Sequence, residues 1–424
     1  MRNLATVHWL FIFMILAVTD LVWAQKNTIT TIIVQGNKKT KTAALTKLIT
    51  VKNGEILDSI KIEKDINRLK RLPAIAHAYY QTHKKDNGYE IVYGVEENLT
   101  IIPSANVYTT NDDEFAFRLG VYEFNALGKN ITVGGIYQHD IYSSYIANIR
   151  APFLFGKRIG FAISHSNITT LEPVFLAQGT ADYKYNNTSY EVLGLYQFNL
   201  QNRIELGINY FNEDYEYKRG VTSPQVPQNF DVNKLLYKFI YEYNNLNFDY
   251  QYVTGFRSIL NTQYVISTEN VLPDFFIWWN DFLYYKRLGN KGNWASRLRV
   301  GLASNDESPF APFAVDNNLN IRGVGNIIDR GTGVIVLNTE YRQTLYEKDW
   351  FVLQSNIFLD GGSWRNPGGD FEDFVDSQNF RIYPGAGMRF MHKKIFNAIF
   401  RIDYGYGITE DATNGFVFGI GQYF

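Results

Sequence analysis

The stretch Glu114-Phe-Ala-Phe-Arg-Leu-Gly-Val-Tyr122 alternates apolar residues with polar or small ones. Because successive side chains of a β-strand point to opposite faces, this alternation predicts a strand with one apolar face. The same pattern returns over residues 396–405. In a soluble sandwich the apolar face would pack into a core, whereas in a membrane barrel it would meet lipid and the polar face would line the lumen. The local pattern fits both architectures, so the rest of the sequence must decide between them.

The number and spacing of such segments favour the barrel. We predict sixteen strands, an even number, joined by short and long connections in alternation, which is typical of outer-membrane barrels. The predicted strands lie near 99–108, 114–123, 130–138, 143–151, 158–166, 187–197, 203–213, 233–248, 255–267, 274–287, 293–303, 333–345, 350–360, 381–391, 395–405 and 415–424. The predicted long connections are 167–186, 214–232, 304–332 and 361–380. The last strand would pair with the first and leave no free edge. We therefore predict a mostly β fold, with a 16-stranded antiparallel transmembrane β-barrel over residues 99–424.

Residues 1–24 are predicted to be a signal peptide. Arg2 precedes an apolar run from Trp9 to Val22, and Ala24 stands directly before the predicted cleavage site. The alternative is an N-terminal membrane anchor, but the run is short for a helical span of about 20 residues. No later segment approaches that length, so we expect no transmembrane helix in the mature chain.

Residues 27–97 depart from the barrel pattern and predict a small α+β domain. A strand over 29–34 is followed by helical spacing of apolar residues over 40–50. Asp58 is a candidate N-cap for a second helix. The order strand, helix, helix, strand, strand is completed by two strands near 76–83 and 89–96.

The composition gives little support to an enzyme, a metal site or nucleic-acid binding. The 41 Lys+Arg nearly balance the 42 Asp+Glu, so net charge offers no argument for nucleic acid as a partner. The chain has no Cys, and its six His show no metal-ligand spacing. The sequence contains neither a Gly-x-Ser-x-Gly elbow nor a phosphate-binding glycine loop. We therefore expect no catalytic residues, no cofactor and no metal.

The segment Asn320-Ile-Arg-Gly-Val-Gly-Asn326 lies in the longest predicted connection. A connection of that length without structure of its own is usually functional or disordered. A guanidinium group carries five donors in a planar fork that fits carboxylates, and Glu340 and Asp360 lie on the two strands that follow. We predict that the segment folds into the lumen, with Arg322 held against both carboxylates as a structural latch. A bulge at Gly361-Gly362 would aim Asp360 inward. The alternative is that these are ordinary lumen-facing charges.

The first domain resembles a POTRA domain, the periplasmic module of outer-membrane assembly and secretion proteins. The resemblance rests on the order of the elements and on particular residues. These are Ile33-Val-Gln-Gly-Asn37, Thr40, Gly54, Asp65, Leu69 and Val95-Glu-Glu97.

The mature chain as a whole resembles the superfamily of BamA- and TamA-type assembly factors and two-partner secretion transporters, the bacterial surface antigen family. Ile321-Arg-Gly-Val324 is similar to the family's Val-Arg-Gly-aromatic motif, with Val324 in place of the aromatic residue. Asn338-Thr-Glu-Tyr-Arg342 and Phe358-Leu-Asp-Gly-Gly362 are similar to the patterns of the next two strands. The residues assigned to the predicted loop latch are Arg322, Gly323, Glu340 and Asp360.

The resemblance implies an outer-membrane protein that inserts or translocates other polypeptides, without nucleotide or covalent chemistry. The POTRA-like domain would take an extended client at a sheet edge. The barrel would open at a lateral seam between its first and last strands, because glycine inside a strand weakens it. The predicted seam residues are Ser104, Asn106, Gly415, Gly419, Gly421 and Phe424.

Expected partners are unfolded outer-membrane or secreted polypeptides and outer-membrane lipid, with periplasmic or lipoprotein accessory subunits as further candidates. The expected location is the outer membrane of a diderm bacterium, with the POTRA-like domain in the periplasm. The alternatives are a dedicated two-partner-type secretion pore and a passive porin-like or structural barrel. Relatives of the secretion type usually carry two POTRA domains and a plug helix, whereas only one such domain is expected here, over residues 27–97.

Overall fold

A computed structural model describes residues 27–109, 115–139, 141–176, 178–224, 226–268, 272–306, 308, 311–315, 320–324, 329–410 and 412–424. The predicted signal peptide, residues 1–24, lies outside these ranges. Contacts within the chain divide it into two compact units, with the boundary between Glu97 and Asn98. None of the described helices is long and apolar enough to cross a membrane.

The first unit is a three-stranded sheet with two helices. Its elements are β1 (Ile29–Gln35), α1 (Thr42–Thr46), α2 (Ser59–Lys70), β2 (Ile75–Lys85) and β3 (Gly88–Glu97). β3 lies between the other two strands, parallel to β1 and antiparallel to β2. The element order is the predicted one, although α1 is shorter than predicted and its N-cap residue, Lys41, makes no side-chain capping bond.

α2 begins where the sequence predicts an N-cap. The carboxylate of Asp58 accepts hydrogen bonds from the backbone N–H groups of Ile60 (2.9 Å) and Lys61 (3.2 Å). One stripe of the helix is buried and holds it in the unit. The apolar residues of that stripe are Ile62, Ile66 and Leu69.

In the described residues, the second unit contains nineteen strands, β4 to β22. They are β4 (Ile101–Thr109), β5 (Phe115–Ala126), β6 (Ile131–His139), β7 (Ser143–Ala151), β8 (Ile159–Leu176), β9 (Gly179–Gln197), β10 (Asn202–Gly220), β11 (Asn229–Asn244), β12 (Asn247–Asp249), β13 (Tyr252–Ser267), β14 (Phe275–Leu288), β15 (Gly292–Ala303), β16 (Phe313–Val315), β17 (Asp329–Gly331), β18 (Gly333–Glu347), β19 (Phe351–Arg365), β20 (Phe380–His392), β21 (Ile399–Tyr406) and β22 (Asn414–Ile420).

Sixteen of these strands form the antiparallel barrel, which confirms the predicted fold class. Each barrel strand pairs with the next one along the chain, and the strand order returns from β22 to β4. The three-residue β12 extends the ladder of β13, and β16 and β17 form a separate two-stranded sheet. Because each strand pairs with its neighbour along the chain, the number and spacing of the alternating segments were enough to predict the architecture.

Two of the predicted long connections are strand instead. The β8–β9 ladder continues to the pair Leu176 and Gly179, and the β10–β11 ladder continues to the pair Glu216 and Asn229. Beyond the membrane the outer face of a barrel no longer has to be apolar. The alternation that marks a strand therefore fades in the sequence while the backbone hydrogen bonds continue, as at the polar pair Thr169 and Asn186.

The exposure of side chains shows which face of the barrel is which. On β18, Ile335 and Leu337 are exposed, whereas Asn338, Glu340 and Arg342 are buried. The apolar set faces outward and the polar set faces the lumen, which is the reverse of a soluble sandwich. The outer face of the barrel is therefore suited to contact with lipid.

Part of the connection between β15 and β18 lies inside the barrel. We define the internal segment as residues 311–315, 320–324 and 329–331. The sequence suggested no structure of its own, yet β16 and β17 pair within it as a short hairpin. Its buried residues pack against inward-facing residues of the wall. The cluster consists of Val315, Ile321, Val324, Val334, Val336, Trp364 and Tyr383.

The last strand stops earlier than predicted. β22 ends at Ile420, and Gly421 adopts φ +90°, a left-handed conformation that turns the chain out of the sheet. The sequence predicts Phe424 as the last residue of the strand 415–424. It packs instead against the buried side chains of Leu283 and Tyr285, on the inner face of β14. We call residues 421–424 the tail, and the tail lies inside the barrel.

Candidate functional site

Two neighbouring strands present the carboxylates of the predicted latch. Asn338 and Glu340 are buried on β18, and Phe358 and Asp360 are buried on β19. Asn338 pairs with Asp360 and Glu340 pairs with Phe358, so the two carboxylates are diagonal neighbours on one face of the ladder. A cationic side chain from another segment can therefore contact both carboxylates at once.

The predicted bulge at Gly361-Gly362 is wrong. The ladders on both sides of β19 run through these glycines without a shift of register. A bulge is unnecessary because Asp360 already lies on the lumenal face, two residues after Phe358. The register of β18 with β19 shifts only near the other end, between Thr344 and Tyr346.

Arg322 reaches both carboxylates from the internal segment. Its Nε and Nη2 atoms donate to Asp360 at 2.8 and 2.9 Å, one to each carboxylate oxygen, and its backbone N–H donates to Asp360 Oδ2 at 3.0 Å. Its Nη1 atom donates to Glu340 Oε2. All three side chains are buried. The two-pronged contact with Asp360 requires the planar fork of a guanidinium group, which the ammonium group of lysine lacks.

Two aromatic rings lie against the same guanidinium group. The central carbon of Arg322 is 3.7 Å from the ring centre of Phe358 and 4.7 Å from the ring centre of Tyr423. The Tyr423 ring also lies 4.8 Å from the guanidinium carbon of Arg401. Such cation–π contacts are worth about 0.5–2 kcal/mol each. The tail therefore contacts the latch, which the sequence did not predict because the last strand was expected to run straight to its end.

Further charged residues join the latch. Arg389 donates to Glu340 Oε2 at 3.1 Å and to Asp403 Oδ1 at 2.8 Å. Arg342 donates to the second oxygen of Glu340, and Arg401 donates to Asp403. We define the arginine cluster as Arg322, Arg342, Arg389, Arg401, Glu340, Asp360 and Asp403.

The arginine cluster is suited to holding a segment in place. Buried charges are costly to take out of water unless they are paired and hydrogen-bonded, and removing one partner leaves another charge buried without compensation. Each carboxylate of the cluster accepts from at least one arginine. Within the described residues, no group of three His, Asp or Glu side chains is arranged to hold a metal ion.

Gly323 lets the internal segment pass close to the barrel wall. Its φ is +97°, and a Cβ atom there would lie 2.7 Å from the backbone of Gly405 on β21. Gly405 is limited in turn, because its own Cβ would lie 2.2 Å from the carbonyl oxygen of Arg322. Thr413 fixes the same crossing, since its Oγ1 donates to the Val324 carbonyl at 3.0 Å. Two facing glycines thus allow the approach that positions Arg322.

The structure brings the predicted seam residues together only in part. Gly421 and Phe424 belong to the tail, so the prediction that they pair within the seam is wrong. The side chain of Asn106 lies outside the described part of the structure. The predicted residues found in the two strands where the barrel order closes, β4 and β22, are Ser104, Asn106, Gly415 and Gly419.

Gly419 has a role that the seam prediction did not include. It pairs with Arg401 on β21, and a Cβ atom at Gly419 would lie 2.5 Å from the Arg401 guanidinium. The absence of a side chain on β22 therefore makes room for one cation of the arginine cluster.

Comparisons with known proteins show what the two units of the chain resemble. Residues 27–98 match the POTRA family, described as "Surface antigen variable number repeat". No curated protein sequence matches the chain. The structure is similar to that of BamA from Haemophilus ducreyi lacking POTRA domains 1-3, with 15% identity, a TM-score of 0.52, and coverage of 92% of this chain and 83% of that one.

Two further solved structures share the fold. CdiB from Escherichia coli has 11% identity and a TM-score of 0.60, with 93% of this chain and 75% of that one covered. CdiB from Acinetobacter baumannii has 12% identity and a TM-score of 0.57, with 94% and 74% covered. Residues 27–98 are therefore a POTRA domain, and the chain as a whole shares the fold of these BamA and CdiB structures.

Proposed function

We propose that this chain is an outer-membrane barrel that inserts or translocates other polypeptides into or across that membrane, with its POTRA domain in the periplasm. The observation that carries the proposal is a POTRA domain joined to a barrel whose lumen holds a pinned segment. A passive diffusion pore keeps a water-filled lumen. A buried, multiply bonded segment inside the barrel therefore favours a protein that handles larger cargo in a controlled way.

The POTRA domain offers an edge to an extended polypeptide. β2 lies at the edge of the sheet, and its second half, from Tyr79 to Lys85, is exposed apart from the half-buried Tyr80. The unpaired backbone groups of an edge strand are a template for a further strand. Because such pairing uses backbone groups, it accepts clients of varied sequence.

The junction between β22 and β4 supports lateral release of a client. β22 has seven residues, against 18 in β8 and 19 in β9. A shorter strand forms fewer ladder bonds, so this junction should open at a lower free energy than a long ladder such as that of β8 with β9. The folding of the client and the burial of its apolar face in lipid would supply the driving force.

A dedicated secretion pore is the second candidate. The observation that favours it is that Arg322 alone joins the internal segment to both Glu340 and Asp360 of the wall. Release of the segment from the wall would leave a path through the lumen. In this case one exported polypeptide, rather than many membrane proteins, would depend on the chain.

The proposal is tested by placing expression of the chain under external control and measuring the outer-membrane and exported proteomes after depletion. If the chain is an insertase, the levels of many β-barrel proteins should decrease together. A secretion pore predicts the loss of one exported protein while barrel levels stay constant. Unchanged levels of all such proteins would overturn the proposal and leave the passive or structural barrel.

A further inference from the structure

The side chains on the inner wall of the barrel change from charged to apolar between its two ends. Near the short turns it carries charged pairs, such as Arg150 with Glu205 and Arg257 with Glu242. Toward the opposite end the inward positions of neighbouring strands become apolar. These inward residues, from β10, β11, β13 and β14, are Phe211, Leu236, Val265, Phe275 and Ile277.

A cavity of about 810 Å³ lies over these apolar side chains. One side of the cavity is the inner face of β8 to β14, and the other includes Ala311, Pro312 and Arg330 of the internal segment. Ligand sites in proteins fall in the range of about 300–1,000 Å³ and are mostly apolar with a few polar groups. The cavity has both properties, and it belongs neither to the arginine cluster nor to the junction of β22 with β4.

Four of the five charged side chains of the lining are paired with one another. Glu213 accepts hydrogen bonds from Lys234 and from the Tyr185 hydroxyl, the latter at 2.9 Å. Glu172 accepts from Arg330. Both cations of the lining are therefore already paired, which leaves no charge to attract an anionic ligand. The surface left for a ligand consists mainly of rings and branched aliphatic chains.

We infer that this cavity binds an uncharged polypeptide segment that carries aromatic or branched aliphatic side chains. The ligand class rests on the proposed function, in which polypeptides are the cargo. Apolar side chains gain free energy by leaving water for such a surface, whereas a saccharide would need more unpaired polar partners than the buried amide oxygens of Asn209 and Asn305 supply. A segment bound here would lie between the barrel wall and the internal segment, beside the route that cargo would take through the lumen.

The absence of cysteine in the chain makes a direct binding assay feasible. The full chain in lipid nanodiscs carries an environment-sensitive fluorophore at Q263C, which lines the cavity. The probe is a blocked, uncharged pentapeptide with two Phe and one Val, and its polar counterpart has Ser and Asn at those positions. A second label at N148C, on β7 and outside the cavity, reports non-specific effects.

Saturable binding of the apolar peptide at Q263C alone is the expected result. Leu236→Gln should weaken it about tenfold, because an apolar contact is lost. The matched control is Ile240→Gln, on the same strand and the same face but outside the cavity lining, and it should leave the affinity unchanged. Val265→Thr, which preserves the side-chain shape, is the second test should Leu236→Gln fail to fold.

Several outcomes would overturn the inference. They are the lack of a saturable signal, equal binding of the polar peptide, equal weakening by Ile240→Gln, and displacement of the peptide by a neutral oligosaccharide. The assay uses no cellular client, so its failure is separable from failure of the proposed function. If depletion lowers client levels as proposed but no peptide binds, the inference about the cavity alone is rejected. If the peptide binds but depletion changes no protein level, the transport role is rejected.

Discussion

At the scale of single residues, Arg322 makes contacts that no other type of side chain can reproduce. Arg322→Lys keeps the charge but loses the two-pronged contact with Asp360. Arg322→Ala also leaves Glu340 and Asp360 with less compensation, and breaking a buried pair from one side costs about 3–5 kcal/mol. For both variants, we expect the folded barrel to disappear from an electrophoresis gel at a lower temperature than for the wild type. The decrease should be larger for Arg322→Ala than for Arg322→Lys.

The matched control for Arg322 is Arg219→Ala. Arg219 pairs with Asp182 at 2.7 Å, but its side chain is 61% exposed. Exposed pairs contribute about 0–1 kcal/mol, so this variant should melt close to the wild type. Equal melting temperatures for the Arg322 and Arg219 variants would contradict the latch.

Gly323 allows a second prediction at this scale. Gly323→Ala introduces a Cβ at φ +97° and 2.7 Å from the backbone of Gly405. Gly289 separates the two effects, because it also has a positive φ (+60°) but open space around it. Gly289→Ala should cost about 1–2 kcal/mol from the backbone conformation alone. Gly323→Ala should lower the melting temperature more, and an equal fall in both would mean that the close crossing is not tight.

At the scale of elements, Glu97 ties the end of β3 to the turn after β1. Its carboxylate accepts hydrogen bonds from the backbone N–H groups of Lys38 (2.9 Å), Lys39 (2.9 Å) and Thr40 (2.7 Å). Partial burial raises the pKa of Glu97, but these hydrogen bonds outweigh it and hold the pKa below the ordinary 4.5. A carboxylate whose pKa is lowered by folding stabilises the fold above its unfolded-state pKa, and that stability is lost as the pH falls through the folded-state pKa.

We therefore expect the turn at residues 38–40 to stay protected from hydrogen exchange between pH 7 and 5. Protection should fall below about pH 4.5, when the carboxylate takes up a proton. Glu97→Gln should lose protection already at pH 7 and show little further dependence on pH, whereas Glu96→Gln, at the neighbouring exposed position, should behave as the wild type. A wild-type turn that opens near pH 6 would contradict this assignment.

The tail gives a prediction that links two elements. Tyr423→Leu removes the ring that lies 4.7 Å from Arg322 and 4.8 Å from Arg401. Loss of the two contacts should destabilise the barrel by about 1–2 kcal/mol, measured by its thermal unfolding. Phe416→Leu, an exposed ring on the outer face of β22, is the comparison and should have a smaller effect. The double variant Tyr423→Leu/Arg322→Ala should be destabilised by less than the sum of the two single variants, because the ring and the guanidinium group share one contact.

At the scale of the whole molecule, the sequence predicted what is repeated and local. Alternation predicted the strands, and the position of Arg322, Glu340 and Asp360 on successive elements was the ground for expecting them to meet. It could not predict that Arg389 on β20 contacts both Glu340 on β18 and Asp403 on β21, because contacts between strands that are not direct neighbours depend on how the strands are staggered. It also missed the tail, since the inward turn depends on the φ of Gly421 and not on any polar residue.

The filled lumen leads to a prediction for the barrel as a whole. Leu302 pairs with Gly333, so a Gly/Ser linker between Ala303 and Gly333 can replace residues 304–332 without breaking the β15–β18 ladder. In planar bilayers this variant should conduct several-fold more than the wild type, because the internal segment and its contacts are gone while the wall remains. Replacement of residues 366–379, between β19 and β20, by a similar linker is the control and should change conductance little. Equal currents from wild type and both variants would mean that the internal segment does not limit passage, and Arg322 would then stabilise the wall without closing the lumen.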